Sequence, residues 1–221
     1  MCGRFTFSIE EHEILKEYGI KPDEDLIEPR YNIAPGQQVV TVVNDGEKNR
    51  IGQLKWGLVP VWAKDPSIGY KMINARSETA HEKPSFKRLL ERKRCLILAD
   101  SFYEWKKEDG KKQPYRISPQ DRPFFAFAGL WDRWKQGEEE LVTCTILTKE
   151  ANDFMAPIHN RMPIILPREH ESWWMEQTKQ DPDEMHDYLS QLNIETLEAY
   201  PVSTYVNNAK NEGPECVEPL A

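Results

Sequence analysis

Two uninterrupted apolar stretches, Phe124 to Trp131 (FFAFAGLW) and Leu141 to Thr148 (LVTCTILT), limit the folds open to this chain more than any other feature. A strand with one wet face alternates apolar and polar residues. These runs are rich in β-formers in both phases, so they read as central strands covered on both sides. They are far too short to cross a bilayer and therefore call for a protein interior, with no membrane contact expected. A chain of 221 residues can build that interior without staples. Shorter strand-like segments surround the runs. Gln38 to Val43 turns at Asn44-Asp45-Gly46 into Ile51 to Leu58, and Arg94 to Ala99 is followed by Phe102 to Lys106. Glu108-Asp109-Gly110 then turns the chain toward Tyr115 to Ile117, and Ile164 to Leu166 supplies a last strand. Helices are predicted where Ser8-Ile9-Glu10-Glu11 fits a capping box before Ile14, Leu15, Tyr18 and the stop at Gly19, over Lys83 to Arg92, and over 168–177 and 182–192. With no repeat, low-complexity segment or linker, the prediction is one α+β domain over residues 1–221. Its mixed or antiparallel β-sheet closes toward a barrel and is flanked by helices.

Composition narrows function less than it narrows fold. The 29 Lys+Arg against 37 Asp+Glu leave a net charge of -8, which taken as a sum argues against nucleic acid. The distribution is uneven. Residues 71–116 hold 13 basic and 7 acidic residues, a net of +6, whereas 150–221 hold 4 and 14, a net of -10. A basic middle suits a polyanion, but a helix laced with solvated charges explains Lys83 to Arg94 equally well. Cys2, Cys95, Cys144 and Cys216 are scattered, the five histidines lack ligand spacing, and there is no glycine-rich phosphate loop. Neither metal nor cofactor is expected. The start, Met1-Cys2-Gly3-Arg4, lacks a secretory pattern, so the expected location is cytoplasmic.

Cys2 carries the most chemical information. Removal of Met1, favoured by a small second residue, would leave an amine and a thiol on adjacent carbons. Ordinary pKa values of about 7.7–8.0 and 8.5 leave both groups usable near neutrality. Such a pair traps an aldehyde: the amine forms an imine and sulfur closes a five-membered thiazolidine. Isolated cysteines are nonetheless usually inert core residues. Gly3 allows close backbone approach, and Arg4 offers a guanidinium suited to phosphate. Asn74 and Arg76 follow the apolar Met72-Ile73 and offer a hydroxyl-binding amide and a phosphate fork, or simply a helix cap and a surface arginine. Glu104, between Tyr103 and Trp105, would have its pKa raised if buried, although an outward-facing carboxylate on a half-buried strand is the simpler reading. His159, between apolar neighbours before a strand, can shuttle protons or be a satisfied structural histidine. Pro35 and Trp62 lie on loops, where rigid apolar side chains can stack on bases.

Taken together, Met1-Cys2-Gly3-Arg4-Phe5, Tyr31-Asn32-Ile33-Ala34-Pro35, Trp56-Gly57-Leu58-Val59-Pro60, Ile73-Asn74-Ala75-Arg76-Ser77-Glu78-Thr79, Phe102-Tyr103-Glu104-Trp105 and Ile158-His159-Asn160-Arg161-Met162-Pro163 resemble the SOS response-associated peptidase (SRAP) family, in order and over most of the chain. The Bacillus-type bacterial members are especially similar. The resemblance implies a protein that binds abasic sites in single-stranded DNA and cross-links to them through Cys2. Lyase-type Schiff-base chemistry and self-removal of Met1 by peptidase activity would accompany that reaction. Cys2, Asn74, Glu104 and His159 would be catalytic. Arg4, Pro35, Trp62, Arg76, Trp105 and Arg161 would contact DNA. The protein would act as a nucleoid-associated monomer. Some members have a second aromatic after the tryptophan at position 62, but this chain has Ala63. Two other functions also suit these residues: a hydrolase with Cys2 as nucleophile and His159 as base, and a non-catalytic single-strand-binding module.

Overall fold

The computed structural model describes residues 2–20, 28–193 and 196–220. Its elements, in chain order, are β1 (Phe5–Phe7), α1 (Glu11–Tyr18), β2 (Arg30–Ile33), β3 (Gln38–Asn44), β4 (Asn49–Trp56), β5 (Asn74–Arg76), α2 (Ser77–Ala80), α3 (Pro84–Arg92), β6 (Arg94–Ala99), β7 (Ser101–Glu108), β8 (Lys111–Pro119), β9 (Phe125–Gln136), β10 (Glu139–Glu150), β11 (Arg161–Pro163), α4 (Arg168–Met175), α5 (Pro182–Gln191) and β12 (Leu197–Pro201). None of these helices is long and apolar enough to cross a membrane.

The two apolar runs become β9 and β10, each 12 residues long and paired as a hairpin from Glu139↔Gln136 to Ile146↔Gly129. They close a barrel. β9 continues antiparallel to β6, β6 to β3 and β3 to β4, and β4 returns parallel to β10 at Thr143↔Lys55. Closure removes both edges of this five-stranded mixed barrel, which is why its strands can be so apolar. A second, antiparallel sheet, in the order β12-β8-β7-β1-β2, packs beside it. β1 is buried along its whole length and lies between β2 and β7, with Phe5 opposite both Ile33 and Phe102. The Phe5 ring meets Trp56 at 5.1 Å and Phe127 edge-on at 5.6 Å. Contacts of this kind add roughly 0.5–1.5 kcal/mol each beyond area burial, and they fix the N-terminal strand against the barrel.

Local details depart from the sequence pattern where tertiary contacts compete. The capping box at Ser8 does not form, because Asp100 captures both the Ser8 hydroxyl (2.6 Å) and its N–H (2.7 Å). Helix α1 starts at Glu11 without a side-chain cap and ends as expected at Gly19, which is left-handed (φ 65°). The expected strand Ile164 to Leu166 shifts to β11. Past Pro163 the chain bonds alternately to β10 (Ile164 N–H to Leu147) and to β9 (Leu166 N–H to Ala126), wedged between them rather than along either. A loop carrying Pro22 and Pro29 is expected after Gly19, and residues 21–27 of it lie outside the described residues. Arg94 is 3% exposed and donates to the carbonyls of Leu90, Glu91, Trp174 and Glu176, closing the C-terminal ends of α3 and α4. Burial lowers its guanidinium to about 10.

Candidate functional site

The site is assembled by strand register. β1 pairs with the start of β7, and the Tyr103 N–H donates to the Arg4 carbonyl at 2.9 Å, so the residues preceding β1 run along β7 toward Glu104. Cys2 thereby becomes completely buried. Its thiol lies 4.0 Å from the Arg4 carbonyl oxygen, and its pKa is driven well above the usual thiol range by burial and then by the charge of Glu104.

Asn74 reaches the same place from the other sheet. It opens β5, which runs parallel to β10 at Ile146, after a loop that is pinched shut at its base. That pinch requires two glycines. A Cβ on Gly57 (φ 128°) would stand 2.7 Å from the Gly69 carbonyl oxygen, and one on Gly69 equally close to that of Gly57. Only bare backbone fits on either side. Trp56 Nε1 then ties down the Ile73 carbonyl at 2.9 Å. The Asn74 amide donates through Nδ2 to the Cys2 carbonyl at 2.8 Å, which fixes its orientation because a carbonyl only accepts. Its Oδ1 is buried without a hydrogen-bond partner among the described residues.

Glu104 is 2% exposed, so the outward-facing alternative fails: both faces of β7 are covered here. Burial raises its carboxyl pKa, opposed by positive charge that includes His159. His159 Nε2 stands 4.0 Å from Glu104 Oε2. The Arg161 backbone N–H donates to His159 Nδ1 at 3.0 Å, which in the neutral ring leaves the proton on Nε2, facing the carboxylate. His159 also separates two cavities. One, of about 390 Å³, is lined by Glu104, Trp105, Lys107, Lys112, His159 and Asn207, and the other, of about 690 Å³, by residues that include Arg76, Asn160 and Arg161.

Cys2, Asn74, Glu104 and His159 therefore converge from four separate parts of the chain, while the expected DNA-contacting residues divide. Arg76 is exposed at the end of β5 and opens into the larger cavity. Trp105 lines the smaller one, its indole N–H held at 2.7 Å by Asn207 Oδ1. Arg4 is half-buried; its Nη1 donates to Asn32 Oδ1 (2.6 Å) and to the Val206 carbonyl (2.7 Å), locking the C-terminal segment onto β2. Its Nε is buried with no hydrogen-bond partner among the described residues. Arg161 differs from what its sequence position suggests. It is 9% exposed and grips Glu78 in a bidentate pair (2.6 and 2.9 Å) with Thr148 at 3.2 Å, so its fork is already occupied. Trp62, 58% exposed, and Pro35 sit on separate turns. Ala63 is buried in a small apolar cluster with Val59 and Trp134, where its carbonyl accepts from Trp134 Nε1 at 2.7 Å. Sequence reasoning missed Glu78, Asn32 and Asn207 as anchors. Each is a polar residue whose anchoring partners lie in other segments: Arg161 for Glu78, Arg4 and the Val206 carbonyl for Asn32, and Trp105 for Asn207. Met1, whose removal the Cys2 chemistry requires, lies outside the described residues.

Comparison with known proteins places this geometry in context. Residues 1–209 match the family model described as SOS response associated peptidase (SRAP). The abasic site processing protein YoqW of Bacillus subtilis (strain 168) is 49% identical over 222 residues, covering 99% of each chain. The abasic site processing protein YedK of Escherichia coli (strain K12) is 33% identical over 227 residues and covers 100% of both. A crystal structure of a protein from Bacteroides thetaiotaomicron superposes with a TM-score of 0.86 at 26% identity, covering 100% of both chains.

Proposed function

The chain belongs to the SOS response associated peptidase family, and we propose that it processes abasic sites in single-stranded DNA by joining them covalently to Cys2. The supporting observation is the convergence of Cys2 with Asn74, Glu104 and His159 around an unfilled acceptor. In this reading Met1 is removed and the Cys2 amine becomes the first nucleophile. Glu104, its carboxyl pKa raised by burial, moves a proton from the anomeric hydroxyl to the sugar ring oxygen, and the ring opens to the C1′ aldehyde. The amine adds to C1′ and water departs, giving an imine. The thiol then adds across the C=N bond: sulfur bonds to C1′, and the thiol proton passes to nitrogen directly or by way of His159. With no imine left, elimination of the 3′ phosphate stops. Asn74 Oδ1 accepts from a hydroxyl of the opened sugar.

The state of the thiol favours this order over a hydrolase. A cysteine hydrolase attacks as thiolate, whereas burial raises the pKa of this thiol and disfavours the thiolate. A protonated thiol suits addition to an imine already formed by the amine. Intact mass spectrometry after incubation with an abasic oligonucleotide tests the proposal. The expected product is protein lacking Met1 plus oligonucleotide minus one water, stable to denaturant, and absent for Cys2→Ala. Retention of Met1, or an adduct formed equally by C2A, overturns it.

A further inference from the structure

The β7–β8 hairpin places two lysines where they repel each other. Lys107 and Lys112 are directly opposite in the antiparallel register, both exposed. Facing like charges on neighbouring strands are destabilising. Elsewhere in the hairpin charge is compensated: Lys106 Nζ lies 2.6 Å from Glu108 Oε1, and Lys111 stands opposite Glu108. Neither Lys107 nor Lys112 has a carboxylate within 4.0 Å among the described residues. Both line the smaller cavity with Glu104, Trp105, His159 and Asn207. Strand alternation puts Trp105 and Lys107 on one face, with Pro114 and Lys112 opposite them. An indole fixed by Asn207 is thus followed two residues on by a pair of uncompensated ammonium groups. Arg76 faces the cavity on the other side of His159.

Building on the reading of the site as a binder of abasic single strands, we infer that Lys107 and Lys112 together grip one backbone phosphate of the DNA strand on the Trp105 side of the lesion. The strand then crosses His159 toward Arg76, and the hairpin fixes how far it extends on that side. An anion between the two ammonium groups turns their mutual repulsion into shared attraction.

The test measures binding of wild type, the double variant Lys107→Gln/Lys112→Gln, and Lys111→Gln to single strands with and without an abasic site, over a salt series. Loss of one charge-assisted phosphate contact should weaken binding by the double variant roughly tenfold at low salt. It should also lower the magnitude of its log–log salt slope by about 0.7. The difference should vanish when the oligonucleotide is shortened on one particular side of the lesion and persist when it is shortened on the other. K111Q, which removes one charge from the same hairpin outside the facing pair, should bind like wild type. Equal binding by the double variant and wild type at every salt and length, or an equal loss in K111Q, overturns the phosphate grip. Intact strands report the contact without covalent chemistry. If wild type binds them but never links to abasic ones, the functional reading fails while the grip is still tested.

Discussion

Arg161→Met separates two roles for a residue that sequence alone assigns to DNA. The wild-type guanidinium makes two parallel bonds to Glu78, at 2.6 and 2.9 Å, and a third to Thr148. Charge-assisted bonds of this kind contribute about 1.5–3 kcal/mol each when buried. Arg161 is 11% exposed at its side chain but Glu78 is 40% exposed, so water competes at one end and the sum must be discounted. About 2 kcal/mol remains, with Met keeping the apolar stem packed. For a chain of this length that corresponds to a fall in Tm of about 4–8 °C by calorimetry. The Arg161 N–H also holds His159 Nδ1, so loosening this segment should slow cross-linking at least about tenfold while affinity for intact strands stays within about twofold. The stability gap carries a pH signature. Burial, the largest single cause, would raise the Glu78 carboxyl, but hydrogen bonds from Arg161 and from backbone N–H groups, with the charge of Arg161, together outweigh it and hold it below the ordinary range. A depressed carboxyl stabilises the fold above its unfolded pKa of about 4.3, and that contribution is lost as pH falls through the folded value. The gap between wild type and R161M should therefore close in acid. An unchanged Tm together with a shallower salt slope would refute the argument and make Arg161 a phosphate contact.

Glu104→Gln should make the protein more resistant to urea at neutral pH while slowing cross-link formation. A buried carboxyl with a raised pKa costs stability as pH climbs from the unfolded value of about 4.3 through the folded one, so the gain should disappear below pH 4; a variant that is less stable at pH 7 would contradict this. Arg76→Ala should flatten the salt dependence of single-strand binding by about 0.7 while leaving the rate of linkage at saturating DNA unchanged, as measured by fluorescence anisotropy and by gel. Gly57→Ala should lose more than about 2 kcal/mol in chemical denaturation, because the new methyl meets the Gly69 carbonyl oxygen at a φ that L-residues avoid. Retention of wild-type stability would mean the 57–69 pinch is not rigid.

Much of the architecture was legible from local pattern. The runs at β9 and β10, the turn at Asp109-Gly110 and the stop at Gly19 each rest on chemistry contained within a few residues. Where a distant partner outcompeted the local choice, the pattern misled. Ser8 went to Asp100 instead of capping α1, and the strand expected at Ile164 slid to Arg161 because two barrel strands share the segment. The site divides along the same line. Cys2 drew attention by its position next to Met1, where an amine and a thiol would share adjacent carbons, and the motifs supplied the residue types around it. Burial and pairing were decided only in three dimensions. Glu104 is enclosed because β1 and β7 lie side by side, Arg161 is committed because Glu78 reaches it across 83 positions, and the Lys107–Lys112 pair exists only through hairpin register. A sequence specifies which groups a chain carries. Which charges lose their water, and which meet an opposite or a like charge, depends on contacts between segments far apart in the chain.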